Sequence, residues 1–246
     1  MFDWTKVNSN PNDSEVFKSW KNYYENKIVQ FNIFHEKNRD QRLLDLCKIT
    51  NYGSVKLLDI GFAEHGIEYA KQPDWFHRKL RAFGNNNIYG LDLNEKAVQD
   101  ITHLTKYENL IVGDATDSSL IIAEGNFDVI HAGDVIEHVS NLAGFLEFCK
   151  NNLTNGGSII ITTPNPCAHI AYKTWQRQGI LANMEHTCWI TPTNMNELCR
   201  RIDLIFSESH YSMNKKRTIK NRLKQRYIFN RKDTIFSEFI YVLTKT

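Results

Sequence analysis

From residue 55 onward, short apolar runs alternate with segments whose apolar residues recur every three or four positions. The runs 55–60, 87–91, 110–112, 127–132 and 158–163 predict strands. Between them, 66–83, 94–105 and 141–153 predict helices, the first interrupted near Pro73. In the last of these, Leu142, Phe145, Leu146, Cys149 and Leu153 share one side. Strand and helix in alternation call for a parallel sheet with right-handed crossovers. Two further runs, 203–207 and 235–244, have no full crossover helix between them, so they predict an antiparallel pair at the sheet edge. Thr191-Pro192-Thr193-Asn194 offers a capping hydroxyl followed by proline, which starts a helix reaching about 201. That helix places Met195, Leu198, Cys199 and Ile202 inward.

The first 50 residues read differently. Phe17, Trp20, Tyr24, Ile28, Phe31 and Phe34 predict an amphipathic helix over 13–35, with Asp13 or Ser14 as its cap. A second helix over 39–49 carries Leu43, Leu44, Leu46 and Cys47, and Asn51-Tyr52-Gly53-Ser54 is turn chemistry. The expected organisation is a helical cover, 1–50, on a single globular unit, 51–246. A basic hairpin is inserted at about 213–233, between the last two strands.

Composition narrows the setting. An apolar fraction of 41% supports a sizeable core. Mean hydropathy is −0.46, and no apolar run is long enough to span a bilayer. The start, MFDWTKVNSNPND, lacks the basic and apolar regions of a signal peptide, so a cytoplasmic location is expected. The five cysteines form no C-x-x-C pair and suit reduced thiols. A net charge of +2 does not by itself imply a polyanionic partner. The stretch 215–232 concentrates nine Lys or Arg and no acid, which suits either a solvated hairpin or a phosphate clamp.

Chemistry gathers at the C-terminal ends of the predicted strands, where ligands bind in open α/β sheets. Gly61, directly after Leu58-Asp59-Ile60, permits a sharp turn and close approach to a ligand. Asp92 ends the next strand and can take two ribose hydroxyls. Asp114 ends the third and can accept from an adenine amino group. Each aspartate would also serve as a plain helix cap. After the 127–132 strand, Asp134, Glu137 and His138 would share one face of a short helix at i, i+3 and i+4. His131, at the end of that strand, is placed to touch substrate.

The order LDIG, GLDLN, VGDA, FDVIHAGDVIEHV, NGGSIIITTPNP resembles the class I S-adenosylmethionine (SAM) dependent methyltransferases, over about 55–205. GDVIEHV, TTPN and EHTCWITPTNMNEL resemble the branch containing the ubiquinone-biosynthesis O-methyltransferases, and also the metal-dependent small-RNA 2′-O-methyltransferases. The resemblance implies a Rossmann-like, seven-stranded, mostly parallel sheet with SAM as cofactor. It implies cofactor contacts from Asp59, Gly61 and Ala63 at the methionine end, Asp92 and Leu93 at the ribose and adenine, and Asp114 and Ala115 at the adenine edge. Ala132 and Gly133 would pass beside the methyl donor. Two departures stand out. The usual G-x-G-x-G reads Gly61-Phe62-Ala63-Glu64-His65, and Asp59 and Asp92 are 33 positions apart rather than about twenty. The extra segment, 71–81, holds Trp75, Phe76 and His77, and an elongated helix is expected there.

The same resemblance implies that Asp134, Glu137, His138 and His186 hold a divalent metal that binds neighbouring hydroxyls of an acceptor. Two carboxylates and two imidazoles suit Mn, Fe, Co or Zn better than Mg. His138, His186 and Asp134 are then the catalytic candidates, with a metal-free general base, His138 or His186, as the other option. Residues 168–184 would form a lid carrying Tyr172, Trp175 and Arg177, and Trp189 either walls the pocket or packs. The expected acceptor is a hydroxyl of a sugar nucleotide or surface-polysaccharide precursor. An RNA 2′-O-methyltransferase and a non-catalytic SAM-binding protein are the alternatives, and a homodimer is compatible with the sequence.

Overall fold

The computed structural model describes residues 32–35, 38–47, 55–82, 87–123, 125–168, 171, 175–176, 183–212 and 236–245. Most of the expected first helix, most of the lid and the whole basic stretch 215–232 lie outside these described residues. The described strands are β1 (Asn32–His35), β2 (Leu57–Ile60), β3 (Ile88–Asp92), β4 (Leu110–Val112), β5 (Phe127–Gly133), β6 (Leu153–Pro164), β7 (Leu204–Ser212) and β8 (Glu238–Lys245). The helices are α1 (Arg39–Cys47), α2 (Ile67–Ala70), α3 (Phe76–Arg81), α4 (Glu95–Thr105), α5 (Leu142–Asn151) and α6 (Pro192–Arg201).

The strands form one sheet in the order β1-β7-β8-β6-β5-β2-β3-β4. The expected seven strands are β2 to β8. β2 pairs in parallel with β3 and β5, β5 with β6, and β3 with β4. β8 runs antiparallel to both β6 and β7, as the pattern of the sequence predicted for this pair. Successive strands step outward from β2 to β4, and the chain then returns to the other side of β2 to form β5. The sheet therefore changes direction between β2 and β5, which opens a crevice beyond their C-terminal ends.

Alternation along the strands feeds two cores. Leu57, Val129, Ile160, Ile240 and Val242 face Leu43 and Leu46 of α1 and Phe76 and Leu80 of α3. Leu58, Ile60, Ile130, Ile159, Ile161 and Tyr241 face Phe145, Leu146 and Phe148 of α5 and Met195 and Cys199 of α6. A third cluster packs Phe62, Ala70 and the fully buried Trp75 against Ala97, Val98 and Ile101 of α4. Local signals position these helices. Asn94 caps α4 by accepting from the Ala97 N–H at 3.1 Å, and Thr191 and Asn194 form a reciprocal capping box on α6.

Three expectations need correction. Residues 32–35 belong to a strand, not to the end of a helix. β1 adds an eighth strand outside β7, and Phe34 stacks on His210 with ring centroids 4.7 Å apart. Hydrogen bonding along a sheet edge outweighs a helical spacing that rests on one residue. Second, β6 starts at Leu153, ahead of the expected 158–163 strand, with Gly156 at φ 78° and a shift of register against β5. Third, the 71–81 segment is not one elongated helix. Only α3 falls in it; 71–75 is a non-helical break after α2, and the Trp75 indole N–H donating to the Phe62 carbonyl at 2.8 Å ties that break to the first loop. All five cysteines are free thiols.

Candidate functional site

A cavity of about 500 Å³ opens at the C-terminal ends of β2, β3 and β5. Gly61 at φ 75° turns the chain out of β2 beneath it, and a Cβ there would overlap Val135 Cγ2. Asp92 forms another part of the wall. Its carboxylate accepts from the Ala63 N–H at 3.1 Å and the Asn94 N–H at 2.9 Å, which fixes both oxygens at the strand end. Gly133 and Asp134 line it at the end of β5. Asp59, Gly61, Asp92 and Gly133 are thus brought to one cavity. Ala63 is buried and acts through its backbone, while Ala132 and Ala115 are buried in the apolar core. The adenine-side residues are not among the cavity walls. Leu93 is 70% exposed, and the exposed Asp114 carboxylate accepts from the Thr116 N–H at 2.8 Å and its hydroxyl at 2.7 Å.

The 134–138 segment is a tight turn, not a helix. Asp134 sits in left-handed backbone at φ 53°, and the His138 N–H donates to the Val135 carbonyl at 2.9 Å. That turn separates the acids expected on one face. Asp134 accepts from Arg39 Nη1 at 2.9 Å and from the Thr162 hydroxyl at 2.9 Å. Glu137 points the other way and is 1% exposed. Its Oε2 accepts from the Thr163 hydroxyl at 3.0 Å, while Oε1 has no partner. Burial, aided by the Asp134 charge, pushes the Glu137 carboxyl up to about 7.

His186 comes to Glu137 from a loop held by backbone. The Thr187 N–H donates to the Glu137 carbonyl at 2.7 Å, and the Thr187 hydroxyl reaches the same carbonyl at 3.1 Å. His138 and His186 meet edge to face, centroids 4.7 Å apart. One ligand atom each from Glu137, His138 and His186 lies within 4.8 Å of the others. His186 Nδ1 is buried without a partner, and burial with the neighbouring His138 lowers its pKa, which favours the neutral, metal-binding form. Three of the four expected metal ligands therefore converge, and the donor set fits a borderline divalent ion. Asp134 is not part of the cluster, because Arg39 and Thr162 hold it elsewhere. Trp189 is exposed and meets His186 edge-on at 5.6 Å, outside the cavity walls.

One participant, Arg39, escapes a reading of the sequence, and one expected residue, Asp59, has side-chain partners that the sequence does not pair with it. Arg39, at the first turn of α1, lines the cavity and also pairs with Glu238 at 3.4 Å. Burial opposes its charge, but Asp134, Glu238 and Asp40 together hold it firmly protonated. Burial pushes Glu238 up to about 7 despite Arg39. At Asp59, His131 Nδ1 donates to Oδ1 at 2.6 Å and His77 Nδ1 to Oδ2 at 2.8 Å. Burial disfavours the carboxylate there, but the two imidazole hydrogen bonds outweigh it and hold Asp59 below its ordinary range. The sequence marks His131 as a strand-end residue placed to touch substrate and His77 only as part of the 71–81 segment, and it pairs neither with Asp59.

A family model described as a methyltransferase domain matches residues 31–205. No curated protein matches the chain at a significant level. Solved structures share the fold. One is the complex between the Haloferax volcanii Trm112 methyltransferase activator and a methyltransferase, with TM-score 0.57 and 17% identity over 84% of this chain and 93% of that one. A TehB-like SAM-dependent methyltransferase of Corynebacterium glutamicum gives 0.53 and 18% over 96% and 100%. The N-methyltransferase NodS of Bradyrhizobium japonicum gives 0.50 and 16% over 84% and 94%. At these identities the likeness establishes the fold and leaves the acceptor to the site itself. No helix among the described residues is long and apolar enough to cross a membrane.

Proposed function

The chain belongs to the methyltransferase-domain family of SAM-dependent methyltransferases, and from that premise we propose that it methylates a hydroxyl of a vicinal diol on a small polar acceptor, with a divalent cation held by Glu137, His138 and His186. The observation that carries this reading is the convergence of those three donors, with Glu137 Oε1 and His186 Nδ1 both lacking a protein partner. A buried, unpartnered carboxylate oxygen is costly unless something meets it. When bound, SAM supplies an electrophilic methyl group, and a divalent cation lowers the pKa of a hydroxyl beside it.

The chain's own residues do the rest. Asp92 presents a carboxylate fixed by two backbone N–H groups, suited to the cofactor ribose. Gly61 and Gly133 keep the backbone low where the cofactor passes. Thr163 holds Glu137 in place through its hydroxyl. Without a bound cation, the exposed His138 would instead be free to pass an acceptor proton to solvent. Asp59, Glu64, Asp92, Asp134, Glu137 and Glu185 all line the cavity, with Arg39 the one Lys or Arg among the described residues there. That balance favours a neutral polyol over a phosphate inside the cavity. In a sugar nucleotide the diphosphate would stay outside, and the 215–232 stretch carries cations suited to it.

Calorimetric titration with Mn²⁺ in the presence of SAM tests the reading. One ion per chain is expected, with uptake abolished in Glu137→Gln and His186→Ala while SAM still binds. Chelation should stop methylation of diol-bearing sugar nucleotides. Metal uptake indifferent to both substitutions would refute the proposed site.

A further inference from the structure

Asp59 stands where the family's acid meets the methionine end of the cofactor, yet both of its oxygens are already taken. A carboxylate only accepts, so both imidazoles must donate through Nδ1–H, and a ring that carries no second proton has its lone pair on Nε2. His131 Nε2 has no partner, and the residue is 3% exposed. Register places Asp59 directly opposite His131 on adjacent parallel strands, and their side chains leave the same face of the sheet. His77 of α3 closes over Asp59 from the far side, beneath the Phe62 and Trp75 rings.

His131 lines the cavity between α1, α3 and the ends of β2 and β5. Gly133 shares its face two residues on. A Cβ at Gly133 would come within 3.0 Å of His131 Cε1 and 3.4 Å of Nε2, so the glycine keeps a side chain from crowding the Nε2 edge of the ring, where Nε2 is buried and unpartnered. The same wall holds the Arg39 guanidinium. An unpartnered imidazole lone pair suits the ammonium end of an α-amino-acid zwitterion, which donates, and the Arg39 guanidinium, already shared with Asp134 and Glu238, lines the same cavity.

We infer that His131, oriented by Asp59, is the residue that accepts the α-ammonium of SAM, so that the acid of the first loop acts on the cofactor only through an imidazole. His131 touches the cofactor, and Asp59 is a positioning residue that selects the Nδ1–H tautomer. This inference rests on the use of SAM but not on the proposed acceptor or metal.

Two substitutions separate this role from a structural one. His131→Asn keeps a donor towards Asp59 and loses the acceptor at the Nε2 position. His131→Gln keeps an acceptor near that position and loses the donor to Asp59. Binding to the purified chain is read by calorimetry with SAM and with 5′-methylthioadenosine, which has the adenosine and sulfur but no amino-acid end. His131→Asn should weaken SAM about tenfold or more, the loss expected for a charge-assisted hydrogen bond, and leave 5′-methylthioadenosine unchanged. His131→Gln should bind SAM more tightly than His131→Asn. Wild-type SAM affinity in His131→Asn, or equal weakening of both ligands in either variant, would overturn the assignment. Failure of the wild type to bind SAM would overturn it together with the proposed function, whereas absence of metal uptake would refute only the latter.

Discussion

Replacing Glu137 by glutamine removes the costliest charge in the site. The folded chain holds this carboxyl at about 7, against an ordinary value of 4.5, because burial and Asp134 disfavour its ionised form. At ~1.36 kcal/mol per tenfold change in proton affinity, that displacement amounts to about 3 kcal/mol. The sign follows from linkage. The folded state binds the extra proton more tightly, so the group's contribution is complete below about pH 4.5 and lost as pH rises through about 7. A glutamine neither binds nor releases a proton there. Wild type and Glu137→Gln should therefore have similar stability at pH 5. At pH 8 in a chelator, the variant should be more stable by about 3 kcal/mol. Glu64 and Glu238, also displaced upward, are common to both proteins, and only the coupling of Glu238 to Glu137 enters the difference. Urea unfolding at several pH values measures it directly. Saturating Mn²⁺ at pH 8 should restore the wild type, by about 2.7 kcal/mol at a hundredfold excess over Kd, and leave the variant unmoved. A difference between the two proteins that stays constant from pH 5 to 8 would refute the argument.

Two further substitutions probe the scaffold. Gly61→Ala forces a side chain into left-handed backbone at φ 75° and against Val135 Cγ2, so unfolding should show a loss of about 2 kcal/mol or more, with weaker SAM binding by calorimetry. Asn152 is buried, accepts from the Ile122 N–H at 2.9 Å, and donates to the Leu120 and Phe148 carbonyls, each at 3.0 Å. Asn152→Ala leaves three backbone groups without that partner and should cost about 3 kcal/mol in urea unfolding, with SAM affinity per folded molecule unchanged.

Much of the architecture was legible in the chain. Apolar runs and amphipathic spacing mark β2 to β8 and the helices between them, because burial on a sheet or under a helix demands those periods wherever the element sits. No full helical period is legible between the last two apolar runs, and β8 is indeed antiparallel to β7. Gly61, Asp92 and Gly133 were identifiable because a strand end followed by a glycine or an acid is a local pattern. Glu137 and His138 were expected on one face of a helix and lie instead on a turn, and His186 was expected through its resemblance to a motif; the fold brings the three together. The three-dimensional arrangement decided what no local pattern contains. Asp134 has the right spacing to join Glu137 on a helix, but Arg39, 95 positions away, and Thr162 pull it into left-handed backbone instead. Phe34 fits a helical stripe, but an open edge on β7 offered its segment strand hydrogen bonds. Asp59 meets His131 across 72 positions and His77 across 18, and only sheet register and the packing of α3 bring them together. Periodicity is set by the nearest few residues, so the sequence displays it. Which buried charge meets which partner is set by long-range closure of the chain, and only the folded structure displays that.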